Sequence, residues 1–174
     1  MGYVHNVAMS QFVPPTMISA SAGTWTLAVA SNVWSLNRTA ADASFTIYIP
    51  VPILSSSVAL KGSYLKSIET MYSISGAAAD DFPYVNFYKD TLKASAASGS
   101  GSINTAALLA KTIDTEHNSG DERKAQDEHR MVVTLDTPAW IDNDETYHLE
   151  LVIDAAAGSV VKIFGAIINY TLRF

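Results

Sequence analysis

Tyr147-His148-Leu149-Glu150-Leu151-Val152-Ile153-Asp154 is the stretch whose pattern settles the fold class, because Tyr147, Leu149, Leu151 and Ile153 alternate with His148, Glu150 and Asp154. A period of two gives a strand one apolar face and one mostly polar face. Ala155-Ala156-Ala157-Gly158 interrupts the pattern with small residues. From Ser159 to Phe174, Val160, Val161, Ile163, Phe164, Ile167, Ile168, Tyr170, Leu172 and Phe174 fall on both phases. β-Branched and aromatic residues on both phases suit a strand covered on both sides. The expected arrangement is a long hairpin whose second strand is central, with Leu149, Leu151, Ile153, Phe164 and Ile168 in the core.

The same alternation recurs upstream. Trp25, Leu27 and Val29 share one face of a strand after Gly23, and a second short strand carries Trp34. Phe45, Ile47 and Ile49 alternate with Ser44, Thr46 and Tyr48 until Pro50 and Pro52 end the strand or place it at an edge. Leu65, Ile68, Met71, Tyr72 and Ile74 keep no single phase, which a bulge near Ser67 would reconcile. Val85 and Phe87 oppose Tyr84, Asn86 and Tyr88, while Met131, Val133 and Leu135 alternate with Val132, Thr134 and Asp136. Residues 94–102 are Ala, Ser and Gly, expected as a flexible loop; in 103–113 Ala106 to Ala110 favour a helical turn and Ile103, Thr105, Thr112 and Ile113 a strand, and a strand is expected because the neighbours are strands. About eight or nine short strands, polar turns and almost no helix predict an all-β chain, an antiparallel β-sandwich that is jelly-roll-like.

Residues 1–22 read as an extended N-terminal arm, with a single sandwich domain over 23–174. Pro14-Pro15 restricts the backbone and removes two donors, and the arm shows no 3.6-residue apolar period. Phe12, Val13, Met17 and Ile18 nevertheless carry apolar surface that needs cover. A neighbouring subunit's sheet edge or the chain's own sandwich would supply it.

At 174 residues one domain can bury a sufficient core without a disulfide or a metal. Charged residues make up 16% of the chain, below the roughly 25% usual in soluble domains, so the expected surface is polar but weakly charged. With 17 acidic against 11 basic residues there is no electrostatic footprint for a phosphate backbone or an anionic membrane, and neither nucleic acid nor membrane is an expected partner. No charged side chain occurs from Asn6 to Asn37, but Pro14, Pro15, Gly23 and many Ser, Thr and Asn residues exclude a membrane helix there. The absence of cysteine removes disulfides, thiolate nucleophiles and the commonest zinc ligands. The N-terminus lacks the positive flank and compact apolar run of a signal peptide, so synthesis in the cytoplasm and release by another route are expected.

Asp114, Glu116, His117, Asp121, Glu122, Asp127, Glu128 and His129 contain enough oxygen and imidazole donors for a hard cation, but their spacing matches no EF-hand and no H-E-x-x-H pair. Arg123, Lys124 and Arg130 are interleaved, so ion pairing within a solvated or partner-facing loop is the expected use of this charge. Asp142-Asn143-Asp144-Glu145 offers alternate oxygens that could hold Ca²⁺, but is expected as a turn whose side chains bond their own backbone. Ser, His and carboxylates are all present, yet no G-x-S-x-G elbow appears. No catalytic residue, no metal, no cofactor and no enzymatic activity are expected. Trp25, Trp34 and Trp140 read first as packing residues. Tyr48, Tyr84 and Tyr88 oppose the apolar faces of their strands and are the better candidates for contact with a ligand or another subunit.

Residues 23–34 (GTWTLAVASNVW), 60–68 (LKGSYLKSI) and 167–174 (IINYTLRF), with the charged segment holding Asp114, His117, Glu122, Arg123, Asp127 and His129, resemble an uncharacterised group of all-β phage-related and environmental proteins. The resemblance covers most of the chain and brings no catalytic or ligand-binding motif with it. It implies a non-enzymatic structural protein that self-assembles or decorates a virion, or an extracellular particle or fibre. The partners it implies are further copies in a homo-oligomer and capsid or other virion proteins. Phe12, Val13, Met17, Ile18, Tyr48, Tyr84 and Tyr88 are the interface candidates. The alternative is a carbohydrate- or cell-surface-binding β-sandwich module.

Overall fold

The computed structural model describes residues 5–56, 58, 61–92 and 104–173. The low-complexity loop expected at 94–102 lies outside the described residues, as do Ile103 and Phe174. In chain order the elements are β1 (Asn6–Val13), a 3₁₀ turn (Pro15–Met17), β2 (Ser19–Ala20), β3 (Trp25–Ala30), β4 (Val33–Arg38), β5 (Ala43–Pro50), β6 (Gly62–Ser75) and β7 (Asp81–Leu92). There follow β8 (Asn104–Leu108), β9 (Lys111–Ile113), the single-turn α1 (Gly120–Arg123), β10 (Glu128–Trp140), β11 (Glu145–Ala155) and β12 (Val160–Arg173).

These strands form two antiparallel sheets packed as a sandwich. The seven-stranded sheet runs β3-β4-β12-β6-β10-β9, with β1 also on β12, and the five-stranded sheet runs β2-β5-β11-β7-β8. Phe45, Ile47, Ile49, Phe87, Leu149, Leu151 and Ile153 meet Leu65, Ile68, Tyr72, Met131, Val133, Ile163 and Ile168 between the layers. Strands that alternate in sequence bury one phase each, and the sandwich joins those phases into one core.

The expected terminal hairpin is corrected by this topology. β11 lies between β5 and β7 in one sheet, whereas β12 lies in the other, beside β6. The chain crosses the core at residues 156–159, where the Ser159 N–H donates to the Ala156 carbonyl at 3.0 Å and its hydroxyl donates to the Ala78 carbonyl at 2.7 Å. Crossing puts Leu151 and Ile153 opposite Ile163 and Ile168, all with no exposed surface. Two neighbours in one sheet would have left both apolar phases on the same side in need of a third layer.

Phe164 departs from the expected core position. The register with β6 passes from Ile163↔Tyr72 directly to Gly165↔Met71, so Phe164 is an extra, half-buried residue. Gly165 follows at φ +130°, and a Cβ on it would lie 2.7 Å from both Phe12 Cζ and the Val13 carbonyl oxygen. At this bulge the flank of β12 changes partner: Lys162 and Ile163 pair with β4, and Ala166 to Arg173 pair with β1. The bulge anticipated near Ser67 falls at Lys66, which the register skips between Ser67↔Asn169 and Leu65↔Tyr170.

The N-terminal segment does not stand apart. β1 is a strand of the chain's own seven-stranded sheet, β2 joins the five-stranded sheet, and Val13 and Ile18 are core residues of this chain. Pro14 and Pro15 break the strand between the sheets instead of holding an arm away from them.

β3 and β4 form a two-residue hairpin through Ser31 and Asn32, both left-handed at φ 51° and 67°, as a type I′ turn requires. Its base is fixed by Phe45, which meets the Trp25 ring edge-on at 5.2 Å and the Arg38 guanidinium at 4.6 Å. Arg38 is buried and donates to the Ala41 carbonyl at 2.8 Å. Further out, Leu27, Val29 and Trp34 on the same hairpin face are exposed, so the expected packing role holds for Trp25 and not for Trp34.

Candidate functional site

The outer face of the five-stranded sheet gathers the tyrosines that the alternation pattern singles out. Because Ile47, Ile49, Val85, Phe87, Leu149 and Leu151 point into the core, Tyr48, Tyr84, Asn86, Tyr88, Asp90, His148 and Glu150 point away from it. The register aligns Tyr48, Glu150 and Asn86 in one row, Pro50, His148 and Tyr88 in the next, and Val152 with Tyr84 on the opposite side.

Glu150 and Asn86 therefore occupy the middle of a patch edged by Tyr48, Tyr84, Tyr88 and His148. Tyr88 stacks on His148 with ring centroids 5.4 Å apart, and Tyr48 lies tilted at 6.1 Å on the other strand. His148 Nδ1 is 3.2 Å from Asp90 Oδ2, and its Nε2 is 3.7 Å from Glu150 Oε1. Tyr84 is 60% exposed. Tyr84 and Tyr88 are four residues apart on one strand, a span of roughly 13 Å at strand rise, with Asn86 between them. Tyr48 and Tyr88 stand where their strands pair on both edges, and Tyr84 stands where β7 pairs with β11.

Of the interface candidates from the sequence, this face unites Tyr48, Tyr84 and Tyr88. Phe12 and Met17 are exposed on another flank, and Val13 and Ile18 are buried. Asn86, Asp90, His148 and Glu150 were not singled out, although they share the phase of the tyrosines along β7 and β11.

The charge-dense segment is organised around a buried cation. Arg123 donates to the Phe82 carbonyl at 2.9 Å and to the His117 carbonyl at 2.8 Å, while the Tyr72 hydroxyl donates to the Arg123 carbonyl at 3.0 Å. Burial lowers the Arg123 guanidinium from its ordinary value and raises the Tyr72 hydroxyl. Of the expected ion pairs within the loop, Lys124 to Asp121 forms at 2.9 Å, but Arg123 uses carbonyls and Arg130 reaches Glu69 on β6. α1 begins with a capping box: the Glu122 N–H donates to Ser119 Oγ at 3.3 Å and the Ser119 N–H to Glu122 Oε2 at 2.9 Å.

Asp114 Oδ1 is 2.7 Å from His117 Nδ1, and the imidazoles of His117 and His129 are in contact. Burial works to raise the Asp114 carboxyl, but the Val132 N–H and His117 hydrogen bonds outweigh it and hold the group below the usual range. Among the described residues, no three His, Asp or Glu side chains converge as metal ligands would. The turn at 142–145 closes on itself as expected: the Asn143 N–H donates to Asp142 Oδ1 at 2.7 Å and the Glu145 N–H to the Asp142 carbonyl at 3.2 Å.

A second aromatic group lies on the outer face of the seven-stranded sheet. Tyr64 and Trp140 are 4.6 Å apart beside a hollow of ≈ 510 Å³ that Asn6, Lys66, Thr171 and Arg173 help to line. The Arg173 guanidinium stands 5.5 Å from the Trp140 ring, so that ring is engaged by its own chain.

No family model matches the chain, and no curated protein matches it in sequence. Among solved structures, a family two carbohydrate esterase from Cellvibrio japonicus aligns over 98% of this chain at 8% identity and a TM-score of 0.36; the chain spans 36% of that protein. A family 29 carbohydrate-binding module complexed with cellulohexaose aligns over 93% of this chain and 91% of its own, at 8% identity and a TM-score of 0.39. A carbohydrate esterase of the Shiga toxin-encoding bacteriophage phi24B aligns over 88% and 89%, at 17% identity and a TM-score of 0.36. These are loose likenesses among β-sandwiches, and nothing about ligand or catalysis passes from them to this chain. The resemblance to a phage-related group has no family model behind it; what stands is the all-β sandwich.

Proposed function

We propose that the protein is a non-catalytic saccharide-binding β-sandwich whose ligand lies across the outer face of the five-stranded sheet. The observation that carries this reading is the ring of Tyr48, Tyr84, Tyr88 and His148 around Glu150 and Asn86. Pyranose rings present apolar C–H faces and a rim of hydroxyls, so they need flat aromatic surfaces next to planar hydrogen-bonding groups. Exposed tyrosine supplies the first and keeps its hydroxyl hydrated. The Glu150 carboxylate accepts from sugar hydroxyls, and the Asn86 amide both donates and accepts.

The reading is of binding and not serine-type acyl transfer because the histidine of this face is turned to carboxylates. His148 meets Asp90 and Glu150 and has no Ser or Thr hydroxyl among its hydrogen-bond partners in the described residues. A nucleophile–base pair would need one within reach. Building or decorating a particle is a second reading, favoured by the apolar side chains exposed on β3 and β4.

Titration calorimetry with β-1,4-linked oligosaccharides of glucose, xylose and galactose tests the proposal. At least one series should bind, and Tyr84→Ala and Tyr88→Ala should each weaken it by up to about tenfold, as expected for loss of an aromatic contact. Trp34→Ala, on a different flank, should leave binding unchanged. Absence of binding in all three series, or binding indifferent to both tyrosines, would overturn the proposal.

A further inference from the structure

A hollow of ≈ 690 Å³, a size usual for small-molecule sites, opens on the outer face of the seven-stranded sheet. It exists because the hairpin of β3 and β4 leaves that sheet early. β4 pairs with β12 only at Leu36 and Asn37, Val33 to Ser35 pair with β3 alone, and the extra residue Phe164 marks the point of departure. The hairpin contributes Ala30 and Val33 to the hollow and the sheet contributes Met71 and Phe164, which together give it an apolar lining.

Glu128, Arg130 and Lys162 edge the same hollow. Because Met131 and Ile163 are buried in the core, alternation turns these three side chains outward. Arg130 is held by Glu69 at 2.5 Å. Lys162 and Glu128 make no ion pair and no side-chain hydrogen bond among the described residues, not even with each other. The register sets them in one row: Glu128 is opposite Ser73 on β6, and Ser73 is opposite Lys162 on β12. Their α-carbons are therefore two strand spacings apart, roughly 10 Å. Opposite charges stand on either side of Ser73, and the next row brings Met71 between Arg130 and Gly165.

We propose that this hollow binds a free α-amino acid with a large apolar side chain, its carboxylate on Lys162, its ammonium on Glu128 and its side chain against Met71, Phe164 and Val33. The charges select this class. Lysine only donates and an ionised carboxylate only accepts, so each takes one end of a zwitterion and refuses the other. Arg130 is already matched by Glu69 and Lys162 is balanced by Glu128, which suits a ligand carrying both charges and no net charge. The two ends of an α-amino acid share one carbon, so both fit between two long side chains flanking Ser73. A neutral sugar would leave both charges unanswered, a fatty acid would leave Glu128, and a simple amine would leave Lys162. Burial of the ligand's side chain on the apolar lining adds the rest of the affinity. The site is on the other sheet from the tyrosine face and does not depend on the saccharide reading.

Titration calorimetry of the full chain with L-phenylalanine, L-leucine, glycine, L-phenylalaninamide and N-acetyl-L-phenylalanine tests it. L-phenylalanine or L-leucine should bind, and glycine, without the apolar contact, should be weaker by about tenfold. The amide and the N-acetyl form each lack one charge and should each be weaker by about tenfold or more, a comparison that needs no variant. Lys162→Gln should then bind L-phenylalanine and its amide alike, and Glu128→Gln should bind L-phenylalanine and its N-acetyl form alike, with circular dichroism as the folding control. No binding of L-phenylalanine or L-leucine into the millimolar range, derivatives that bind as tightly as L-phenylalanine, glycine that matches it, or a charge preference that survives both substitutions would each overturn the proposal.

Discussion

His117 Nε2 and His129 Nδ1 lie 3.3 Å apart, in the middle of a chain of contacts from Asp114 Oδ1 at 2.7 Å to the Ala125 carbonyl, 2.9 Å from His129 Nε2. A carbonyl only accepts and an ionised carboxylate only accepts, so both outer ring nitrogens carry hydrogen. The two outer hydrogen bonds therefore fix the tautomers, with hydrogen on His117 Nδ1 and on His129 Nε2. Long-range ¹H–¹⁵N correlation of the imidazoles should show hydrogen at both of these nitrogens; a ring protonated only on the nitrogen facing its neighbour would contradict the assignment.

Three carboxyls tie stability to acid pH. The Arg130 hydrogen bond, against burial, holds Glu69 low; for Asp114 and Glu145 burial pushes upward and hydrogen bonds outweigh it, from the Val132 N–H and His117 and from Lys89 and Tyr147 respectively. A group lowered on folding stabilises fully above its unfolded pKa of about 4 and loses that contribution as pH falls through the folded value. Denaturant unfolding should therefore weaken as pH drops below about 4, and Asp114→Asn should flatten that slope. A wild-type stability that rises on acidification would contradict the assignment.

Gly165→Ala should cost about 1–3 kcal/mol from its backbone conformation alone, because position 165 sits at φ +130°. Removing the Phe12 ring in the double variant should recover only part of the loss, since the Val13 carbonyl stays 2.7 Å from the new Cβ. Urea unfolding checks both. Full recovery in the double variant would assign the constraint to the ring and not to the approach of β1.

Leu151 has no exposed surface between β5 and β7, whereas Leu54 is 64% exposed. Leu151→Ala should cost roughly 2–5 kcal/mol and Leu54→Ala less than about 0.5 kcal/mol in the same unfolding assay. A Leu151 value in the surface range would remove it from the core.

Alternation revealed which face a residue occupies and could not reveal which strand lies beside it. Phe45, Ile47, Ile49, Leu149, Leu151 and Ile153 were legible as core from their period, and the break in phase around Ser67 located the bulge to within one residue. β11 and β12 were mistaken for neighbours because two strands that face each other and two that pair have the same apolar phases. β1 was missed because Pro14 and Pro15 outweighed the Val7, Met9, Val13 alternation. The Ser119-x-x-Glu122 box that opens α1 was passed over, because the charge density around it pointed to a solvated loop. The saccharide face shows the same division: Tyr84, Asn86 and Tyr88 declare a common side from spacing alone, but their meeting with His148, Glu150 and Tyr48 depends on the order β7-β11-β5.

The most direct test of the saccharide proposal is a ¹H–¹⁵N titration of the chain with whichever β-1,4-linked oligosaccharide binds in calorimetry. Shift changes should centre on the amides of Tyr84 to Tyr88 and His148 to Glu150 and fade toward β3 and β10. Changes centred on Tyr64 and Trp140, or no changes at saturating sugar, would contradict a ligand face on the five-stranded sheet.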